Sequence, residues 1–280
     1  MHAESRTYRY PRVLSIAGSD SGGGAGIQAD LKTMAALGCF GMTAITALTA
    51  QNTTGVRSIH GIPCSMLADQ IDAVVEDIGV DAVKVGMLHA SDTVHTVAQA
   101  IERHRLAQVV FDPVMVATSG AVLIDQAAVQ VLVREMFPRA CLITPNLDEA
   151  AHLVGWPLRD EASMEAAAQQ LLAMGARAVL LKGGHLEGDT VADLLMTTEG
   201  PSLWMRSARI ATANTHGTGC TLSSAIAAYL ARGLSLQEAV QSARQFVRGA
   251  LEHGAKVRTG QGSGPLNHGY APQVMQRVAL

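Results

Sequence analysis

The chain has 280 residues, of which 48% are hydrophobic, 16% charged and 4% aromatic, and its formal net charge is −3. That length allows one large domain or two of roughly 150 residues, with a core built from Ala, Val, Leu, Ile and Met, and the slightly acidic balance excludes the basic face of a general nucleic-acid binder. No stretch approaches the ~18 apolar residues of a membrane span, Met1-His2-Ala3-Glu4-Ser5-Arg6 is too polar for a signal peptide, and Cys39, Cys64, Cys141 and Cys220 show no CxxC spacing, so a soluble, cytoplasmic protein with reduced thiols is expected.

In chain order, strand and helix patterns alternate. Residues 1–11 read as a polar tail and 12–280 as one domain. The apolar run 13–17 predicts a strand ending in the glycine cluster Gly22-Gly23-Gly24-Ala25-Gly26, and a helical face of Ile27, Leu31, Met34 and Ala35 follows. Residues 42–50 read as one Thr- and Ile-rich strand. Leu67, Ile71, Val74, Val75 and Ile78 repeat with the helical period. A strand over 82–86 precedes a helix marked by Val94, Val97, Ala98 and Ile101. Residues 109–111 run into Asp112-Pro113, and Val129, Leu132, Val133 and Met136 give another helical face. Residues 141–143 and 178–181 are continuous apolar runs of the buried, parallel-strand kind, with an Ala-rich helix over 164–174 between them. Helices over about 218–230 and 236–252 come last. There is no repeat, linker or composition break, which predicts a single α/β domain with a mostly parallel sheet between helix layers.

In such folds ligands collect beyond the carboxyl ends of the strands. The residues there form a consistent polar set: Gly18-Ser19-Asp20, Gln51-Asn52, Gly86-Met87, Asp112-Pro113-Val114-Met115, Thr144-Pro145-Asn146 and Lys182-Gly183-Gly184-His185. A GxGxxG read from Gly22 fails at Ile27, and the next strand ends in Gln51-Asn52 rather than an acid, which disfavours a dinucleotide enzyme. No GxxxxGK[ST] occurs either.

The most informative stretch is Asn214-Thr215-His216-Gly217-Thr218-Gly219-Cys220-Thr221. Gly217 and Gly219 allow close backbone approach, and the first-turn amides of the helix that follows have no intrahelical acceptor, so with the helix dipole they suit an anion. The same field would lower the pKa of Cys220 and make it a proton acceptor. A Gly-rich turn that merely opens a packed helix, with Cys220 a small buried side chain, accounts for the same residues. Asn146 and Glu149, three apart at a helix start, offer oxygen ligands to hydrated Mg²⁺ beside phosphates. They equally fit an N-cap with an acidic first turn. Asp30 reads either as a substrate anchor or as a bland acid, and Met87 and Met115 as cavity wall or core.

These residues fall into an ordered series: SGGGAGIQADLKT at 21–33, TALTAQNTTGV at 46–56, KVGML at 84–88, DPVM at 112–115, TPNLDEA at 144–150, LKGGH at 181–185 and NTHGTGCT at 214–221. With it the chain closely resembles the hydroxymethylpyrimidine/phosphomethylpyrimidine kinases of thiamine biosynthesis, within the ribokinase superfamily, from about Arg12 to His268. The resemblance implies a three-layer α/β/α sandwich with a small β lid, borne here by residues 41–60, and a homodimer that uses ATP and Mg²⁺. It implies that Gln51 and Asp30 hydrogen-bond the aminopyrimidine, with Gly18, Ala25, Met87 and Val114 completing its pocket. Cys220 would accept the hydroxymethyl proton, and the Gly217, Thr218, Gly219 and Cys220 amides would hold the γ-phosphate. Asn146 and Glu149 would organise Mg²⁺, Glu149 partly through water, while Lys182 and Asp112 lie at the nucleotide phosphates. Many members carry Lys where this chain has Thr118. A pyridoxal kinase is the nearest alternative, and a non-catalytic nucleotide-binding relative another.

Overall fold

Each short apolar run needs cover on both faces, and the helices between the runs supply it. The computed structural model describes residues 7–115, 124, 126–184, 186 and 188–280. The strands are β1 (Tyr8–Arg9), β2 (Arg12–Ala17), β3 (Phe40–Ile45), β4 (Ala47–Asn52), β5 (Gly55–Gly61), β6 (Ala82–Val85), β7 (Val109–Phe111), β8 (Leu142–Ile143), β9 (Ala178–Leu181), β10 (Thr190–Thr197), β11 (Leu203–Ala208) and β12 (Val278–Ala279). The helices are α1 (Gly26–Ala36), α2 (Cys64–Asp77), α3 (Ser91–Arg103), α4 (Gln126–Met136), α5 (Leu147–Val154), α6 (Glu161–Ala173), α7 (Thr218–Ala231) and α8 (Leu236–Gly254).

The main sheet has the order β11-β10-β9-β8-β7-β6-β2-β3. Neighbours from β9 to β3 run parallel, and β10 is antiparallel to both β9 and β11. Alternation along a strand divides the core into two. Leu14 and Ile16 of β2 pack with α2 to α6, whereas Val13 packs with α1, α7 and α8. Helix α7 is buried from Thr221 to Leu230, between the sheet, α1 and α8, so small Ala and Ser residues fill most of its length. The three-layer sandwich expected from the sequence is thus present.

Three details differ from the sequence reading. The run 42–50 is not one strand: the chain leaves the main sheet at Thr46, and β4 pairs with β5 as a separate antiparallel ribbon. Thr46 is pinned there, its amide donating to the Ala17 carbonyl and its hydroxyl to the Met87 carbonyl at 2.8 Å. Strands β10 and β11 were not anticipated, because Asp193 interrupts the apolar pattern of β10. That carboxylate is buried by accepting the Gly183 amide (2.8 Å) and Arg244 Nε (2.7 Å). Within the tail, Tyr8 and Arg9 pair with Ala279 and Val278. Thr118 lies outside the described residues.

Candidate active site

The strand order reverses beside β2, since β3 lies on one side of it and β6 to β9 on the other, and a crevice opens beyond the strand ends there. It forms a cavity of about 1270 Å³ whose walls include Gly18, Gln51, Asp112, Lys182 and Cys220.

At one end is the start of α7. Gly217 is its N-cap, with φ +83°, and a Cβ there would stand 1.9 Å from the Gly24 carbonyl oxygen. The two glycine-rich segments therefore touch backbone to backbone. The Thr218 amide donates to the Thr215 carbonyl, as does the Thr218 hydroxyl at 2.7 Å. The Thr218 amide is thus engaged within the turn, while Gly217, Thr218, Gly219 and Cys220 all line the cavity.

Lys182 Nζ stands over this helix start. A Cβ at Gly219 would meet it at 3.2 Å. The ammonium is 2.9 Å from Asp112 Oδ1 and 4.0 Å from Glu149 Oε2. Burial would lower the Lys182 pKa, but the two carboxylates outweigh it and hold it raised. Asp112, in turn, accepts the Thr144 hydroxyl at 2.9 Å.

Asn146 and Glu149 form a reciprocal capping box on α5. Asn146 Oδ1 accepts the Glu149 amide at 2.9 Å and Glu149 Oε2 accepts the Asn146 amide at 2.7 Å. The N-cap reading is realised, and it also sets Glu149 on the cavity wall. Burial pushes the Glu149 carboxyl up to about 7, against the pull of Lys182. Between about pH 4.5 and 7 the folded state then binds more protons at this site than the unfolded chain, so ionising Glu149 costs stability as pH rises. Glu149→Gln, which does not titrate, should gain in Tm relative to the wild type from pH 5 to 8. A difference in Tm that stays flat across that range would show that Glu149 ionises normally.

The cavity wall also includes Gly18, Ala25, Gln51, Met87 and Val114. Met87 Cε lies 2.5 Å from where a Cβ on Gly18 would stand, so a larger residue there would require the methionine side chain to move. Gln51, in β4, accepts the Thr49 hydroxyl at 3.3 Å and has its amide nitrogen 3.4 Å from His216 Nε2.

Two residues of this wall carry more than the sequence reading gave them. Asp20 accepts the amides of Gly22 (2.8 Å), Gly24 (3.0 Å) and Ala25 (2.8 Å), and its Oδ2 is 2.8 Å from His216 Nε2. The first glycine cluster is therefore closed by its own carboxylate, which occupies the Gly22, Gly24 and Ala25 amides. Burial would raise the Asp20 pKa, but His216 and the amides bring it down to about 2. The signal was an Asp two residues before a glycine run, an Asx-turn pattern.

Two expectations are corrected by burial. Asp30 is fully buried, hydrogen-bonded to Ser15, Lys84 and Ser224, and stands behind the cavity wall instead of lining it. The Cys220 thiol is not lowered by the helix dipole: burial pushes it up to about 11, although Lys84 and the Gly26 amide favour its ionised form.

The chain matches the family described as phosphomethylpyrimidine kinase over residues 20–267. It is 49% identical over 258 residues to a hydroxymethylpyrimidine/phosphomethylpyrimidine kinase of Rhizobium meliloti, covering 91% of this chain and 96% of that protein. It is 51% identical over 266 residues to the thiamine biosynthesis bifunctional protein ThiED of Geobacter sulfurreducens; the match covers 94% of this chain but only 54% of that protein, so the chain spans about half its length. Among solved structures, the ADP complex of Bacillus subtilis pyridoxal kinase is similar with a TM-score of 0.84 at 36% identity, over 92% of this chain and 97% of that one.

Proposed function

The chain belongs to the phosphomethylpyrimidine kinase family, and from that premise we propose that it transfers the γ-phosphoryl group of ATP to 4-amino-5-hydroxymethyl-2-methylpyrimidine and then to the resulting monophosphate. One observation carries the reading: a single cavity joins Gln51 and its apolar neighbours to Cys220, Lys182 and the α7 amides. The pyrimidine lies at the Gln51 end, where a side-chain amide offers both a donor and an acceptor to a ring nitrogen and its exocyclic amine. Cys220 accepts the hydroxyl proton. The Gly219 and Cys220 amides and Lys182 stabilise the charge on the transferring group, so most of the rate comes from positioning and electrostatics.

The site suits Mg²⁺ by the chemistry of its donors. Glu149 is a hard oxygen ligand on the cavity wall beside the phosphate end, and Asn146 adds an amide oxygen. Among the described residues no group of three or more His, Cys, Asp or Glu is placed to hold a metal ion. When bound, Mg²⁺ would neutralise phosphate charge. Gln51→Ala should raise KM for the pyrimidine far more than KM for ATP; equal losses for both would place Gln51 outside the ring end. The reading includes a homodimeric, cytoplasmic enzyme, and no helix among the described residues is long and apolar enough to cross a membrane.

The likeness to a pyridoxal kinase supplies the second reading. An ATP-consumption screen against the hydroxymethylpyrimidine, pyridoxal, the thiazole alcohol of thiamine synthesis and ribose separates them. The pyrimidine should give the highest kcat/KM, and a preference for pyridoxal would reverse the assignment.

A further inference from the structure

Behind the Cys220 end of the cavity lies an ion pair that the chemistry above does not use. The Lys84 and Asp30 side chains are both 0% exposed. Lys84 Nζ stands 2.9 and 2.8 Å from the two Asp30 oxygens, and the hydroxyls of Ser15 and Ser224 reach the same carboxylate at 2.5 Å each. Ser224 is one turn beyond Cys220 on α7, so Asp30 ties the lysine of β6 to the helix that carries the thiol. Gly86 leaves room for the ammonium, since a Cβ there would stand 2.8 Å from Lys84 Nζ.

A buried pair of this kind is a poor source of stability, because desolvating two ions offsets most of their attraction. An ammonium also has three N–H groups, and among the described residues Asp30 is the only hydrogen-bond acceptor found for Lys84. Lys84 and Cys220 line the same cavity. The charged groups acting on Cys220 are Lys84, Lys182, Asp30 and Asp112, with the Gly26 amide as a neutral donor. Of the two cations, Lys182 is engaged with Asp112 and Glu149 at the phosphate end.

We propose that Lys84, clamped by Asp30, is a positioning residue that supplies the counter-charge for the Cys220 thiolate. The inference rests on the reading of Cys220 as proton acceptor. In that reading the thiolate takes the proton of the substrate hydroxyl, the O–H electron pair stays on oxygen, and oxygen forms the new bond to phosphorus as ADP leaves. A fixed positive charge held out of water lets the sulfur lose its proton in a site whose burial opposes it.

The test measures Cys220 itself, by the pH dependence of its alkylation by iodoacetamide, with the adduct located by peptide mass spectrometry. Lys84→Met alone strands a buried carboxylate, so Lys84→Met combined with Asp30→Asn is the informative variant. Against Asp30→Asn alone, which removes the opposing carboxylate from both sides of the comparison, its alkylation midpoint should rise by about one pH unit or more, equivalent to roughly tenfold slower alkylation at a fixed pH below the midpoint. Lys84→Arg, which keeps the charge, should stay near the wild type. A double variant whose midpoint equals that of Asp30→Asn alone overturns the proposal. The unsubstituted protein gives a second measurement that does not depend on a variant folding: the side-chain ¹⁵N resonance of Lys84 should move with the Cys220 titration, and a flat resonance overturns the proposal equally. If both signals respond while Cys220→Ala keeps full kcat, the pairing stands and the proton-acceptor reading fails.

Discussion

Replacing Cys220 with Ala is expected to lower kcat by roughly 10²–10⁴, the range for losing a general base, while KM for the pyrimidine and for ATP stays within about threefold of the wild type. The expectation follows from position. Cys220 lies in the first turn of α7 on the cavity wall, three residues beyond the Gly217 N-cap. Alanine keeps the helix and its backbone amides, so the anion site survives and only the titratable group is lost. The change removes an interaction made in the transition state, which lowers kcat and kcat/KM together. An alanine enzyme within about threefold of the wild-type kcat would remove the thiol from the mechanism and leave positioning as the whole of catalysis.

A second large effect is expected from Gly217→Ala. At φ +83° an L-residue is strained by about 1–2 kcal/mol, and here the added methyl would also stand 1.9 Å from the Gly24 carbonyl oxygen. Backbone cannot yield as a flexible side chain can, so the two glycine-rich segments must separate. That displaces the α7 amides and breaks the contact between Asp20 and His216. We expect a fall in Tm of several degrees, the size that about 1–2 kcal/mol produces, together with loss of measurable phosphoryl transfer. Calorimetry and a turnover assay check both parts. A variant with wild-type Tm and activity would mean that the two segments are not held in contact.

The frame of the fold was legible because its signals are local and repeated. Buried parallel strands leave continuous apolar runs, and the helices of this chain keep a clear 3.6-residue period. The glycine-rich start of α7 was legible for a related reason: glycines at 217 and 219 ahead of an apolar run are a backbone device that sequence displays directly. What sequence did not display is pairing at long range. Asp30 and Lys84 are 54 residues apart, and nothing local announces that they form a buried ion pair. His216 and Asp20 are 196 residues apart. The same blindness hid β10, whose Asp193 looks surface-bound until Arg244 of α8 is seen against it. Burial explains the Cys220 reversal too. A helix start favours the thiolate, but desolvation is the larger effect there and only the folded chain reveals it.

The central claim is that one cavity performs two successive phosphorylations. For the second, the first phosphate must occupy nearly the place of the original hydroxyl, and two phosphate groups must then approach. On the proposed reading, Lys182, the Gly219 and Cys220 amides and a cation held at Glu149 would offset that repulsion. The pocket must also take a substrate longer by one phosphoryl group, a demand that the separate β4–β5 ribbon could meet as a mobile cover. Phosphorus NMR of the purified protein with the hydroxymethylpyrimidine and excess Mg-ATP tests this directly. The account predicts that the monophosphate rises first and the diphosphate then replaces it. A reaction that stops at the monophosphate with ATP remaining would contradict it.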